Sequence, residues 1–161
     1  MPTHGPGHLK SFDYLGFYRY FLTFCCHENQ VLFTNDAAVD LVMSQLSRAA
    51  AVEQFAILAY CFMPDHLHLL AEGLAESSDG LRFIARAKQL SGFHYAHSFR
   101  RRLWQRYGYE HVLRGDEDTR RVARYILENP VRAGLVTSAE DYPFLGSTAF
   151  SVREILEYTS G

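Results

Sequence analysis

The pattern of apolar and polar positions predicts three strands in the first half of the chain. Residues 17–25 are aromatic and rich in β-forming side chains, and residues 54–60 form a second apolar run of strand length. Residues 66–72 alternate between apolar and polar side chains, which is typical of a strand with one buried face. A Met-Pro-Asp turn at residues 63–65 joins the second and third strands, so the two are expected to be hairpin neighbours.

Two longer segments have the spacing of helices. The first follows potential N-cap residues at 34–36 and ends near Ala50, with apolar side chains at positions 39, 42, 43 and 46. The second begins at Leu81, after a Ser-Ser-Asp-Gly sequence that can cap a helix, and extends to about Arg100. It carries several basic side chains and is expected to be exposed along much of its length.

A third helix is predicted near the end of the chain. It follows the acids at residues 116–118, whose charge favours a helix N-terminus, and it should end at Asn129, because Pro130 cannot extend the helix. Residues 104–114 are interpreted as a short strand or a loop. The order of strand, helix, two strands and two helices predicts an α+β fold, with a central antiparallel sheet flanked by helices.

The 161-residue length is sufficient for one domain. Residues 1–16 are rich in Gly, Pro and His and are expected to form a flexible arm, so that residues 17–161 form a single domain. The sequence contains neither a long apolar run nor the apolar core of a signal peptide, and it contains three cysteines without a paired spacing. We therefore expect a cytoplasmic protein that does not contact a membrane.

Charge is distributed unevenly along the chain. The formal net charge is −2, but residues 82–124 contain eleven of the sixteen Lys and Arg residues against four acids. Cations near a phosphate backbone release counterions, so this local excess favours a nucleic-acid partner, although a basic run is also typical of a solvated helix face. The candidate nucleic-acid contacts are Arg82, Arg86, Lys88, Arg100, Arg101, Arg102, Arg106, Arg120, Arg121 and Arg124.

The third strand contains a candidate metal site. Alternate residues of a strand share a face, so the imidazoles of His66 and His68 point the same way while Leu67 points to the other side. Two neutral imidazoles at this separation can bind one divalent ion. The other interpretation is a pair of histidines with ordinary packing or surface roles. Asp65 is interpreted as a turn residue, or as a partner that orients an imidazole.

The last predicted helix contains a candidate nucleophile. Tyr125 and Asn129 are four residues apart and therefore lie on one helix face. A packed tyrosine and a helix stop before proline are the structural alternatives. Together with a divalent ion that neutralises a phosphodiester, however, the amide of Asn129 could complete the metal site, and Tyr125 could attack phosphorus to form a covalent intermediate.

Several stretches, in the same order along the chain, resemble one protein family. Residues 60–70 (YCFMPDHLHLL) and 125–136 (YILENPVRAGLV) are similar to the histidine strand and the tyrosine helix of single-tyrosine HUH transposases of the insertion-sequence type. Residues 103–106 (LWQR) and 110–114 (EHVLR) are similar as well, and the whole set resembles the branch of REP-associated tyrosine transposases. The resemblance covers residues 17–148, most of the chain.

The resemblance implies a fold and a function. The fold would be the ferredoxin-like or RRM-like sheet of an HUH nuclease domain. His66, His68 and Asn129 would hold Mg²⁺ or Mn²⁺, and Tyr125 would become linked to a DNA 5′-phosphate. The expected partner is single-stranded DNA with hairpins, which the enzyme would cut and rejoin as an endonuclease and strand transferase.

Five other aromatic or imidazole side chains have weaker claims to a role. His111 is a candidate for contact with phosphate or metal, and Trp104 is a candidate for stacking on an unpaired base. Tyr107 and Tyr109 could also stack on bases. Tyr95, Tyr107 and Tyr109 are rival nucleophiles, but none has a potential ligand at helical spacing.

Alternative functions and assemblies stay open at this point. The chain could be a domesticated DNA-hairpin-binding protein without catalysis, or an unrelated metal-dependent hydrolase that uses the two histidines alone. In some relatives the tyrosine helix of one chain serves the histidines of another, so a homodimer is one expected arrangement and a single-chain site is the other.

Overall fold

Five antiparallel strands form one sheet in this computed structural model, which describes residues 14–114 and 119–158. The spatial order is β4-β1-β3-β2-β5, and every neighbouring pair is antiparallel. The strands are β1 (Arg19–Cys25), β2 (Phe55–Met63), β3 (His66–Gly73), β4 (Tyr109–Val112) and β5 (Leu145–Gly146).

Five helices accompany the sheet in the described residues. They are α1 (Asp36–Glu53), α2 (Gly80–Phe99), α3 (Thr119–Leu127), α4 (Asn129–Arg132) and α5 (Val152–Glu157). The predicted N-caps are present, since the side chain of Asn35 accepts from the Ala38 N–H and that of Asp79 accepts from the first turn of α2. None of these helices is both long enough and apolar enough to span a bilayer.

The chain order β1-α1-β2-β3-α2-β4, with β4-β1-β3-β2 in space, is the ferredoxin-like arrangement. The predicted fold class, an antiparallel sheet flanked by helices, is therefore confirmed. The sequence did not indicate β5 or α5. Both are short, two and six residues long, and such lengths leave little periodicity to detect.

The two faces of the sheet carry separate hydrophobic clusters. Helices α1 and α2 cover one face, where the even-numbered side chains of β1, such as Tyr20 and Leu22, are buried. Helices α3 and α5 cover part of the opposite face, where Ile126 and Leu127 pack with Leu70 of β3. We call this second face the histidine face, because strand alternation places His66 and His68 on it with Leu70.

The end of the tyrosine helix differs from the prediction. Helix α3 ends at Leu127 rather than at Asn129, and Asn129 instead begins the short helix α4. Pro130 lies in the first turn of α4, where its missing N–H would have no intrahelical partner in any case. The proline therefore separates two helices instead of ending the helical region. The acids predicted to begin α3, residues 116–118, lie outside the described residues.

The boundary of the predicted N-terminal arm also needs correction. Residues 1–13 lie outside the described residues, but Tyr14 is buried and its hydroxyl donates to Glu110 over 2.8 Å. The Gly16 N–H donates to the Ser78 carbonyl over 2.8 Å. Because these contacts tie residues 14–16 to the sheet and to the start of α2, the domain begins at or before Tyr14 rather than at Phe17.

Candidate active site

The two histidines lie next to each other on β3. Their ring centroids are 4.7 Å apart, and the ring planes meet at 79°. In the sheet, His68 lies opposite Thr23 of β1, and His66 lies opposite Cys25. The turn before β3 is fixed by the backbone, since the Cys26 N–H donates to the Asp65 carbonyl over 2.9 Å. The backbone that carries both imidazoles is therefore held by regular strand pairing and by a hydrogen-bonded turn.

Each imidazole has an oxygen partner at the same nitrogen. Nδ1 of His66 lies 2.7 Å from Oδ1 of Asp65, and Nδ1 of His68 lies 2.9 Å from Oγ1 of Thr23. A carboxylate only accepts, so Nδ1 of His66 carries the hydrogen, and the Thr23 hydroxyl can accept from His68 in the same way. Both Nε2 atoms then keep their lone pairs, which is the tautomer that binds a metal ion.

The protonation state of His68 also suits metal binding. Burial, the neighbouring His66 and the positive charge of Arg132 together lower the pKa of His68 from 6.5 to about 3. The ring is therefore neutral at physiological pH. Metal binding to His68 would not have to displace a proton from Nε2 at that pH.

The described residues do not supply a third histidine or acid for this pair. In residues 14–114 and 119–158, no three His, Cys, Asp or Glu side chains are grouped closely enough to hold a metal ion. Asn129 is half-buried at the start of α4, and the hydrogen bonds of the described residues include none from its side-chain amide. Its amide oxygen is a hard donor of the kind that Mg²⁺ and Mn²⁺ accept, so the residues present fit such an ion.

Tyr125 is accessible and lies on the histidine face. Its side chain is on α3 with 51% of its surface exposed. Its ring contacts Phe21 of β1, with centroids 6.2 Å apart, and Phe21 in turn contacts the ring of His68 at 5.6 Å. The Phe21 ring thus contacts both the candidate nucleophile and a candidate ligand. The tyrosine and both histidines belong to one chain.

Arg132 also contacts Tyr125. Its guanidinium carbon lies 3.7 Å from the centroid of the Tyr125 ring, and its Nη2 donates to the Tyr125 carbonyl over 2.7 Å. Arg132 was not predicted as a site residue, because its contact with Tyr125 depends on the break between α3 and α4. Thr23 was also missed, because its role depends on the register of β1 against β3.

The three predicted nucleic-acid contacts on α2 are engaged within the protein. Arg82 and Arg86 both pair with Glu53 of α1, a carboxylate whose side chain is only 8% exposed. Lys88 donates to the carbonyls of Gln105 and Arg106 over 3.1 and 3.0 Å. These side chains therefore neutralise a buried acid or fix a loop, and their availability to DNA is reduced.

Four other predicted contacts line a basic groove of about 720 Å³ between α2 and the segment that follows it. Arg101 donates to the side chain of Gln30 over 3.1 Å, and Arg102 donates to the Trp104 carbonyl over 3.1 Å. The wall of this basic groove contains Lys88, Arg100, Arg101, Arg102 and Arg106. Five cations around one depression form the strongest concentration of positive charge among the described candidates.

The remaining basic candidates lie on α3. Arg124 pairs with Glu128 at 3.4 Å and donates to the Tyr158 carbonyl over 2.5 Å. The guanidinium of Arg120 lies 5.4 Å from the Tyr158 ring centroid. Arg121 is exposed on the same helix. Arg124 thus fastens α3 to the end of α5, whereas Arg121 faces solvent.

Trp104 lies in the hydrophobic core. It is only 6% exposed, and its indole N–H donates to the hydroxyl of Ser91 over 2.9 Å. Its ring packs against Phe24 and Phe33, at centroid distances of 5.4 and 5.7 Å. This packing favours a core role for Trp104 over stacking on an unpaired base.

The other weak candidates occupy different environments. His111 lies opposite Phe21 in the β1–β4 pair and is half-buried on the histidine face, beyond Phe21. Tyr109 packs its ring against Phe21 at 5.8 Å, and Tyr95 is buried in the core. Tyr107 is exposed beside the basic groove. Neither Tyr95 nor Tyr107 lies on the histidine face with Tyr125.

Two solved structures share this fold. A REP-associated tyrosine transposase bound to a REP hairpin superposes with a TM-score of 0.70 at 22% identity, covering 86% of this chain and 81% of that one. A structure described as a transposase from Deinococcus radiodurans superposes with a TM-score of 0.52 at 22% identity, covering 76% and 97% of the two chains. Both likenesses concern the arrangement of strands and helices.

Sequence comparisons assign the family. A Haemophilus influenzae protein named as a REP-associated tyrosine transposase is 32% identical over 102 residues, covering 56% of this chain and 57% of the relative. An Escherichia coli REP-associated tyrosine transposase is 33% identical over 91 residues, covering 56% and 53%. The chain thus matches little more than half the length of these relatives. The model of the family described as "Transposase IS200 like" matches residues 17–129, and the chain therefore belongs to the IS200-like transposases.

Proposed function

We propose that this protein is a metal-dependent endonuclease and strand transferase that acts on single-stranded DNA at hairpin-containing sites. The observation that carries the proposal is the placement of Tyr125 on the same sheet face as His66 and His68, with Phe21 in contact with both the tyrosine and His68. Each histidine also has its Nδ1 engaged by an oxygen, which leaves two Nε2 atoms available for a ligand.

The residues that would hold Mg²⁺ or Mn²⁺ are His66 and His68, through Nε2, and Asn129, through its amide oxygen. When bound, such an ion neutralises charge on the non-bridging oxygens of a phosphodiester. The protein contributes by fixing both imidazole rings, His66 through Asp65 and His68 through Thr23. Anchored rings offer their lone pairs in a constant orientation, which favours binding.

The chemistry proposed for Tyr125 is transesterification. Its phenol oxygen attacks phosphorus and forms a bond to the 5′-phosphate, while the bond from phosphorus to the 3′ oxygen breaks and that strand leaves with a 3′-hydroxyl. The phenol proton passes to solvent, to which the half-exposed side chain is open. Rejoining is the reverse reaction, in which a 3′-hydroxyl attacks the phosphotyrosine and releases Tyr125. One ester replaces another at each step, so no further reactant is required.

Hairpin DNA is the proposed substrate for two reasons. The structure with a TM-score of 0.70 to this chain is that of a transposase bound to a REP hairpin. In addition, the basic groove concentrates five cations, which suits a phosphate backbone. We also place the activity in the cytoplasm, where the three free thiols of Cys25, Cys26 and Cys61 stay reduced.

The test is formation of a covalent adduct. Purified protein is mixed with single-stranded hairpin DNA from genomic repeats, in Mn²⁺ or in EDTA, and analysed on a denaturing gel. We expect an adduct that requires Mn²⁺ and that is lost in Tyr125→Phe and in His66→Ala. Tyr107→Phe, which alters another exposed tyrosine, is the matched control and should retain the adduct.

Each outcome has a definite meaning. An adduct that survives Tyr125→Phe would exclude the assigned nucleophile. Binding without any adduct across a broad set of hairpins would instead favour a DNA-hairpin-binding protein without catalysis. Cleavage without an adduct, lost in His66→Ala but not in Tyr125→Phe, would point to a metal-dependent hydrolase.

A further inference from the structure

The helix that carries Tyr125 is interrupted one turn after it. The last regular bond of α3 runs from the Glu128 N–H to the Arg124 carbonyl over 2.9 Å, and Glu128 then adopts ψ near 0°. Within the described residues, the Asn129 N–H does not bond the Tyr125 carbonyl. A carbonyl left without its helical partner needs a donor from elsewhere or from water.

Arg132 provides that donor. Arg132 lies in helix α4, where its backbone N–H bonds the Glu128 carbonyl over 3.1 Å. Its Nη2 then donates to the Tyr125 carbonyl over 2.7 Å. The bond compensates for the missing helical partner, and it also fixes the guanidinium beside the tyrosine side chain.

The same guanidinium covers the Tyr125 ring. Its carbon lies 3.7 Å from the ring centroid, which is a close cation–π distance. Phe21 also contacts the ring, at a centroid distance of 6.2 Å and with the planes at 70°. An exposed tyrosine normally exchanges between rotamers, whereas this ring has two side-chain contacts that favour one of them.

We propose that Arg132 is a positioning residue that holds the Tyr125 ring in the orientation required for attack on phosphorus. The inference rests on the proposed role of Tyr125 as the nucleophile. Arginine suits the task because its planar group can cover a ring while an edge N–H reaches a carbonyl. A lysine ammonium is compact and cannot make both contacts at once, so Arg132→Lys should be a poor replacement despite the same charge.

The kinetic test separates positioning from DNA binding. Hairpin affinity is measured in EDTA, and the rate of adduct formation is measured at saturating DNA with Mn²⁺, for Arg132→Gln, Arg132→Lys and Arg153→Gln. Arg153 is an exposed arginine of α5 and serves as the charge-matched control. We expect Arg132→Gln to lower the saturated rate about 10-fold, which corresponds to loss of about 1.4 kcal/mol, because both the cation–π contact and the hydrogen bond are removed.

Affinity in EDTA should fall no more in Arg132→Gln than in Arg153→Gln, and Arg132→Lys should recover little of the lost rate. A saturated rate equal to that of the wild type in Arg132→Gln overturns the inference. A loss confined to affinity overturns it as well, because Arg132 would then act as a phosphate contact. If the wild type forms no adduct, the proposed function itself fails, and this result is distinct from the other two.

A spectroscopic measurement tests the contact without activity. The Nε–Hε resonance of Arg132 in the full chain should show an upfield ring-current shift caused by Tyr125. The shift should persist in Tyr125→Phe, which keeps the ring, and disappear in Tyr125→Leu. An Arg132 resonance that is the same in Tyr125→Phe and Tyr125→Leu would show that the guanidinium does not cover the ring in solution.

Discussion

The hydroxyl of Thr23 lies 2.9 Å from Nδ1 of His68, across the antiparallel pair of β1 and β3. The two residues are direct partners in the register, so the distance is fixed by the hydrogen bonds of the sheet. When the hydroxyl accepts from Nδ1, the lone pair of Nε2 stays free, and the bond holds the ring plane. Thr23 thus contacts Nδ1 of His68 in the way that Asp65 contacts Nδ1 of His66.

Replacing Thr23 by valine should weaken metal binding. Valine has nearly the same shape but cannot accept from Nδ1, so the His68 ring loses its fixed tautomer. Removal of such a partner typically lowers metal affinity about 10- to 100-fold. The measurement is a calorimetric titration with Mn²⁺ in the absence of DNA, supported by the loss of the binding signal in EDTA.

Two variants control the Thr23→Val experiment. Thr23→Ser keeps the hydroxyl and should retain most of the affinity. Thr148→Val removes a hydroxyl that donates to the Ile57 carbonyl, away from the histidines, and should leave Mn²⁺ binding unchanged. Equal affinities in Thr23→Val and wild type would mean that Thr23 does not orient the imidazole.

The sequence was sufficient for features that depend on local periodicity. The common face of His66 and His68 follows from the two-residue repeat of a strand. The prediction that Tyr125 and Asn129 share one continuous helix was wrong, because α3 ends at Leu127 and Asn129 begins α4. Thr23 is 45 residues from His68 in the sequence, and only the strand register brings them together. The spacing of residues within one strand does not specify which residue of another strand lies opposite.

Side-chain environment was also beyond local prediction. Arg86 belongs to a basic run and was interpreted as a DNA contact, but it pairs with Glu53, 33 residues earlier in the chain. Trp104 lies in an aromatic and basic segment, and its burial depends on how that segment packs against α2. Composition indicates which residues can bind a nucleic acid, whereas the tertiary structure decides which of them are accessible.

Substitution of Trp104 should affect stability rather than DNA recognition. Trp104→Ala removes a buried ring and leaves a cavity, so we expect the free energy of unfolding to fall by about 3–5 kcal/mol. Urea denaturation measures this loss, and hairpin affinity is measured at a temperature where the variant is folded. A large loss of affinity with little loss of stability would restore the base-stacking interpretation.

The basic groove should account for a large part of the salt dependence of hairpin binding. Arg100→Gln and Arg106→Gln each remove one cation from it, and each should reduce the slope of log affinity against log salt by about 1 if the side chain contacts a phosphate. Fluorescence anisotropy at several salt concentrations gives the slope.

Arg82→Gln is the matched comparison for the groove variants. Arg82 is exposed but pairs with Glu53, which also keeps Arg86 as a partner. Its removal should change the salt slope less than removal of Arg100 or Arg106. An equal reduction of the salt slope in all three variants would indicate that the bound DNA extends along α2 beyond the basic groove.

A single chain should be sufficient for the reaction. Tyr125 contacts Phe21 of the same chain, and Ile126 and Leu127 of its helix belong to the cluster that includes Leu70 of β3. If Tyr125 acted with the histidines of another chain, α3 would have to leave this cluster, and buried apolar side chains would become exposed.

We therefore expect a mixture of Tyr125→Phe and His66→Ala to form no more adduct than the two variants do separately. The variants are mixed before DNA is added and also refolded together, so that any exchange of helices has time to occur. Substantial recovery of the adduct in either mixture would show that the tyrosine of one chain acts with the histidines of another, and that the active site is shared within a dimer.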